Sequence, residues 1–392
     1  MSTPFFEVPS DEFANDAVFV IGGGPSIREF DFSRLRGRGK VIAVNDAGIE
    51  PDRAPWADVL FWADRRWFDW NAPRLVNHVG KYKITRKAPM VPHRYDIKLV
   101  HFLPGMFSTR ADAVGGWCGG SSAVNLAYLF GARVIILLGF DMRAGNWHDN
   151  HKAAAKPGQH RDKFIPEFER MEPHLTRRGV TVLNTNPQSA LRCFPFADIE
   201  ELLTMDDLAL IERAKYLAVW QTPEYRRVSP GMLETDRAWT VCGMRSGQSL
   251  IDFGSGPCRA TKWFQERGLR VVAVDFAPNA REFPDVPFVE ACLWELPEAL
   301  QPADYGYCCD VMEHIPESRV NDVLGGIAAR CQVGCYFRIA TRPDRMGPQL
   351  IGQPLHVTVR TADYWRRAVE AHFATVDVVS SDVRDVILLA RK

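Results

Sequence analysis

Ser249-Leu-Ile-Asp-Phe-Gly-Ser-Gly-Pro257 decides how much of this chain folds. Its apolar start reads as a buried strand. The glycines that follow let the backbone turn sharply and approach a ligand closely. Residues 258–267 have helical composition, and a second strand over 269–274 ends at Asp275. That carboxylate lies about 20 positions beyond the glycines, where it can accept hydrogen bonds from both ribose hydroxyls. Another strand, 305–309, leads into Asp310-Val-Met-Glu-His-Ile-Pro316, and the apolar runs 333–339 and 376–389 complete a sheet. Strands alternating with helical segments predict a parallel sheet flanked by helices.

A second turn of the same kind stands near the other end, Val18-Phe-Val-Ile-Gly-Gly-Gly-Pro-Ser26. Proline suits the first turn of a helix, where its missing N–H costs nothing. Ser26 can cap free amides or bond a phosphate. The run Lys40-Val-Ile-Ala-Val44 ends in Asn45-Asp46, and Ala57-Asp-Val-Leu-Phe-Trp-Ala-Asp64 reads as a further strand. Gly115-Gly-Trp-Cys-Gly-Gly-Ser-Ser122 precedes an apolar helical segment, 123–130, and Arg133-Val-Ile-Ile-Leu-Leu-Gly-Phe-Asp141 reads as a central strand. The polar, histidine-rich stretch 143–161 has the composition of a loop over a site. A helix over 164–178 and a strand over 180–183 close this half at Asn184-Thr-Asn-Pro-Gln-Ser189.

The chain has 392 residues, enough for two domains of ordinary size. Hydrophobic content of 46% and charged content of 24% are those of a globular protein. Basic and acidic residues balance at 48 each, so no global field draws in nucleic acid or an anionic membrane. The basic stretches 34–40 and 81–87 read as solvated surface. Nine cysteines show no metal-ligand spacing, which predicts reduced, mostly buried thiols in a cytoplasmic protein and no bound metal. Residues 1–9 lack a charged-then-apolar signal pattern, and the apolar runs are too short to span a bilayer. The aromatic patch 61–70 reads as core and rim, with an acceptor platform as the alternative.

The second half resembles class I S-adenosylmethionine-dependent methyltransferases of phage and bacterial type. Asp252-Phe-Gly-Ser-Gly matches their first motif, Val274-Asp275 the second, and Asp310-Val-Met-Glu-His-Ile-Pro316 the segment after the fourth strand. A dinucleotide-binding dehydrogenase would place a third glycine at the helix start, where Cys258 and Arg259 stand here. Thr222-Pro-Glu-Tyr-Arg-Arg-Val-Ser-Pro-Gly231 is similar to the segment that covers the cofactor, and Leu355-His-Val-Thr-Val-Arg-Thr-Ala-Asp-Tyr-Trp365 to the loop and helix flanking the acceptor.

The resemblance implies that Asp252, Gly254, Ser255, Gly256, Asp275, Phe276 and Asp310 bind S-adenosylmethionine. Gly254 and Gly256 would face the methionine part, and Asp275 the ribose. Glu313 and His314 would lie near the methyl group, with a packing or capping role as the alternative for His314. His356 would orient an acceptor or bond a loop carbonyl. The family's adenine-binding carboxylate after the third strand is replaced by Ala291 or Cys292, with Glu290 as a substitute. No Asn/Asp-Pro-Pro-Tyr/Phe tetrapeptide of the common amino-methylating DNA enzymes is present.

The first half resembles a bacterial sialyltransferase family and the related 6-hydroxymethylpterin pyrophosphokinases. The matching features are Gly-Pro-Ser after the first strand, Asn45, Gly119-Gly120, Gly139-Phe-Asp141 and Asn186-Pro-Gln-Ser189. The resemblance implies a CMP-, UDP- or GDP-linked sugar donor held by Gly22, Gly23, Gly24, Pro25, Ser26, Asn45, Gly119, Gly120, Asp141 and Asn186. It also implies a histidine base, His160, His148 or His151, suited to the task by a pKa near neutrality. The family's first-turn asparagine is Gly23 here, and its donor-phosphate tyrosines have no counterpart. In the pyrophosphokinase branch, His148, Asp149 and His151 would hold magnesium.

The expectation is thus an α/β protein of two Rossmann-like domains in tandem, 1–212 and 213–392. It would be a bifunctional glycosyl- and methyltransferase acting on a glycan, a small molecule or a modified DNA base, in the cytoplasm, or the host cytoplasm if phage-encoded. A first half that only binds substrate for the methyltransferase is the further alternative. The sequence leaves the oligomeric state open.

Overall fold

Runs rich in valine, isoleucine and phenylalanine become the central strands, buried on both faces as parallel sheets require. The computed structural model describes residues 5–14, 16–86, 95–105, 107–148, 158–227 and 229–392. The chain divides into two compact units, Met1–Ala214 and Lys215–Lys392. It is a mixed α/β protein, as its alternating strands and helices predict.

Elements of the first unit are β1 (Ala17–Ile21), β2 (Lys40–Val44), β3 (Val59–Trp62), α1 (Arg65–Asn71), β4 (Tyr82–Thr85), β5 (Ile97–Leu99), β6 (His101–Leu103), β7 (Ala113–Gly115), α2 (Gly119–Leu129), β8 (Val134–Leu138), α3 (Ile165–Thr176), β9 (Thr181–Asn184) and α4 (Ile199–Leu202). Helix α5 (Asp207–Val219) spans the division. The main sheet has the order β5-β4-β3-β2-β1-β8-β9, every pair parallel, and β6 and β7 form a small separate sheet. Strand order reverses between β1 and β8. Such a switch point opens a crevice at the carboxyl ends of the strands.

One local expectation changes. Part of the basic stretch 81–87 is strand β4, with Ile84 fully buried beside β3. A run of only four residues that includes a lysine gives too weak a pattern to betray this. Trp62, Trp67 and Phe68 join Ile49, Leu60, Leu75 and Ile97 in one cluster, so most of the aromatic patch is core.

The second unit adds α6 (Pro223–Arg226), α7 (Pro230–Cys242), β10 (Ser249–Phe253), α8 (Arg259–Glu266), β11 (Arg270–Asp275), β12 (Phe288–Glu290), β13 (Ala303–Cys309), α9 (Val320–Arg330), β14 (Cys331–Ala340), α10 (Met346–Ile351), α11 (Ala362–Glu370), β15 (Thr375–Ser381) and β16 (Asp385–Arg391). Its sheet runs β12-β11-β10-β13-β14-β16-β15. All pairs are parallel except those of β16, which lies antiparallel to both β14 and β15. The switch point falls between β10 and β13.

The single apolar run read over 376–389 is in fact this terminal hairpin. Asp382 Oδ1 accepts the amides of Arg384 at 2.6 Å and Asp385 at 3.0 Å, and so turns the chain. In the ladder, Val378 faces Leu388 and Ser380 faces Ile387, so Val379 is an extra residue bulging out of β15. Among the described residues, no helix is long and apolar enough to cross a membrane.

Candidate functional site

In the second unit, β10 carries Asp252 at its end and delivers the chain into Gly254-Ser255-Gly256. Gly254 (φ 73°) and Gly256 (φ 49°) both adopt left-handed backbone. A Cβ on Gly254 would lie 2.5 Å from a Val311 methyl, so the turn needs glycine for space as well as conformation. The turn floors a cavity of about 260 Å³ at the switch point. From β13 come Cys309 and Asp310, and the loop after β14 brings Arg342, Asp344 and Arg345. Trp220, Tyr225 and Ser229 line it from the segment before α7, their rings 4.7 Å apart for the first two.

Asp275 stands behind the turn rather than in the cavity wall. Its carboxylate accepts the Gly256 amide at 2.8 Å and the Ala277 amide at 2.9 Å, fastening the end of β11 to the glycine turn. Phe276 packs against Tyr216, ring centroids 5.4 Å apart, and does not line the cavity either. Asp310, in left-handed backbone at φ 54°, forms an ion pair with Arg338, which also reaches Asp385 at 2.7 Å. Burial raises the Asp310 carboxyl, and Arg338 opposes this.

His314 and His356 meet edge to face in the same wall, centroids 4.8 Å apart. His314 Nδ1 bonds the Leu355 carbonyl at 3.1 Å, and His356 Nδ1 bonds the Arg342 carbonyl at 2.7 Å. Asp344 holds the His356 loop by accepting the amides of Leu355 at 2.9 Å and His356 at 3.2 Å. Burial, then the charge of His356, lowers His314 to about 3, so its imidazole is neutral. Glu313 is fully buried, and burial and Asp310 raise its carboxyl well above the usual range.

Burial also raises the Asp252 carboxyl to about 7, although Thr261 donates a hydrogen bond to it at 2.5 Å. A carboxyl with a raised folded-state pKa stabilises the fold fully below its unfolded pKa near 4. That contribution is lost as pH rises through about 7. Asp252→Asn therefore gains stability over the native chain between pH 5 and pH 8, by on the order of 3 kcal/mol at the upper end. Paired denaturation curves across that range read the difference; a constant offset would refute it.

The first unit gathers its glycine-rich segments at the β1/β8 switch point. Gly22, Gly23 and Gly24, Asn45, Gly119 and Gly120, Asp141 and His160 line one cavity of about 170 Å³. Asp141 is its keystone: it accepts the Ser26 amide at 2.8 Å, the Ser26 hydroxyl, and the Asn186 amide group at 2.9 Å. Pro25 opens a single helical turn after Gly24. Asn45 adopts φ 57°, and its side-chain oxygen is buried without a hydrogen-bond partner among the described residues. His160, lowered by burial, sits in a π-helical turn leading into α3. His148 Nε2 lies 3.4 Å from Asp46 instead, while His151 and Asp149 fall outside the described residues.

Sequence reading missed Arg342, Asp344 and Arg345 in the second cavity, and Arg143 and Asn146 in the first. The available signal was position: each follows the carboxyl end of a central parallel strand, where α/β folds keep their ligands.

No protein-family model matches this chain, and no curated protein sequence does. Parts of it are similar in fold to solved methyltransferases. One is the 1,6-didemethyltoxoflavin-N1-methyltransferase of Burkholderia thailandensis, crystallised with S-adenosylhomocysteine, at 20% identity and a TM-score of 0.37, covering 50% of this chain and 92% of that one. Another is a SAM-dependent methyltransferase from Archaeoglobus fulgidus, at 16% identity and 0.35, covering 43% and 97%. A third is the magnesium protoporphyrin IX methyltransferase of Synechocystis PCC 6803 with bound SAM, at 16% and 0.32, covering 41% and 79%.

Proposed function

We propose that the second unit transfers a methyl group from S-adenosylmethionine. The observation that carries this is the Asp275 carboxylate bonded to the Gly256 amide. In a dinucleotide site the glycine-turn amides face a pyrophosphate. Here the chain's own carboxylate occupies the Gly256 amide, which is therefore not available to a pyrophosphate. A ligand with ribose hydroxyls and a positive sulfonium suits such a turn, and the Trp220 and Tyr225 rings beside it suit a cation and an adenine face. Methyl transfer asks mainly for in-line positioning of an already activated group.

For the first unit the proposal is a nucleotide-linked donor bound across the Gly22–Gly24 turn, with glycosyl transfer as the reaction and His160 as base. The support is the His160 imidazole, lowered by burial, in the same cavity as the Gly22–Gly24 turn and Gly119–Gly120. Joining the two activities in one chain would raise the effective concentration of a shared acceptor, be it a glycan, a small molecule or a modified base.

Calorimetric titration of the full chain tests both parts. S-adenosylhomocysteine should bind saturably and raise the melting temperature; no binding ends the methyltransferase reading. CMP, UDP or GDP should bind the native chain and lose affinity in Asn45→Ala. A magnesium-dependent response to ATP alone would favour the pyrophosphokinase, and silence from every nucleotide a first unit that only presents substrate.

A further inference from the structure

We propose that Glu313, His314 and His356 bind one divalent transition-metal ion at the acceptor side of the second unit's cavity, where an oxygen-bearing acceptor completes its coordination. One potential ligand atom from each of these three side chains lies within 4.8 Å of the other two. Donors about 2.1 Å from a common ion sit roughly 3.4 Å apart at a tetrahedral angle, so small rotations close the set.

Both histidines are already oriented as ligands. A carbonyl can only accept, so the bonds to Leu355 and Arg342 put the protons on Nδ1 and leave both Nε2 lone pairs for a metal. Asp344, through the amides of Leu355 and His356, adds a further layer of support to that loop. Glu313 supplies the independent sign. Its side chain is fully buried, and neither carboxylate oxygen bonds another side chain among the described residues. A buried carboxyl group is costly without a partner, and a cation between it and the imidazoles is such a partner. Two nitrogens and one oxygen suit zinc, or cobalt in its place, better than magnesium, calcium or manganese.

Because His314 and His356 line the cavity, the open positions of the ion face the space where an acceptor enters. The cation site stands on this geometry, whereas its part in catalysis rests on the methyl-transfer reading. In that part, a coordinated hydroxyl gives its proton to solvent and its oxygen bonds the methyl carbon. The C–S bond breaks with its electron pair left on sulfur.

Untagged full-length chain, stripped with a chelator, would be dialysed against Zn²⁺ and separately titrated with Co²⁺ in the visible range. The expected result is one Zn²⁺ per chain and a cobalt d–d spectrum of mixed nitrogen and oxygen ligation. Zn²⁺ affinity should fall at least about 10-fold in Glu313→Gln and in His356→Ala. His356 belongs to a half-buried loop, so its variant should keep the native melting temperature and remain a valid test if Glu313→Gln unfolds. No retained Zn²⁺, or retention equal in native chain and His356→Ala, overturns the proposal. S-adenosylhomocysteine titrated beside it separates the two readings: its binding without Zn²⁺ refutes the cation site alone, and Zn²⁺ without its binding refutes the acceptor role.

Discussion

Asp275→Ala should raise the dissociation constant for S-adenosylhomocysteine at least about 100-fold while leaving the fold of the first unit unchanged. The carboxylate holds two backbone amides, Gly256 and Ala277, one of them inside the turn that floors the cavity. Removing it leaves both donors without their charged partner in a buried setting. Each hydrogen bond to a charged group is worth about 1.5–3 kcal/mol, and an orphaned buried donor costs a similar amount. Two glycines in left-handed backbone, released from that anchor, then sample many conformations in place of one. Asp275→Asn keeps an acceptor but not the charge, and should lose less. Calorimetry on the folded variants decides it; an affinity within threefold of the native chain would show that the turn does not depend on its anchor.

The second large effect belongs to the first unit. Asp141→Ala should destabilise it by roughly 3–5 kcal/mol, because three donors from two distant segments converge on this one nearly buried carboxylate. Ser26 stands just after the first glycine turn and Asn186 just after β9, so both lose their fixed position together. Asp141→Asn retains an acceptor and should recover part of the loss. Hydrogen exchange followed over residues 17–27 and 181–189 would localise the change, and a global shift with no local loss of protection there would contradict it. The space around Gly24 makes the same point, since an added Cβ would fall 2.6 Å from the Asp141 carboxyl carbon.

What was legible in the sequence was local. The strand of Ser249–Phe253 and the helix beginning near Arg259 follow from periodicity and glycine placement, and both glycine turns stand where those patterns put them. Asn45, Gly119, Gly120 and Asp141 were each marked by a short motif, His160 only by its place in a histidine-rich loop, and the fold brings them to one cavity. Less legible was anything set by distant pairing. Strand β4 has only Ile84 and Thr85 fully inside, and it becomes a strand because β3 offers it a parallel edge. The π-helical turn at His160 depends on tertiary context. The meeting of Glu313 and His314 with His356 could not be read from spacing. The 41 positions between the histidines are closed by strand β14 and by Asp344 pinning the returning loop.

The bulge at Val379 bears on how the protein behaves in concentrated solution. An edge strand with a straight row of backbone donors and acceptors invites a second molecule to continue the sheet. In the second unit one margin is β12, only three residues long. The other is β15, where the extra residue throws the row out of step and Asp377 draws Arg391 across the surface. Both margins thus offer a second molecule little regular ladder to extend, at a net charge that sums to zero at neutral pH.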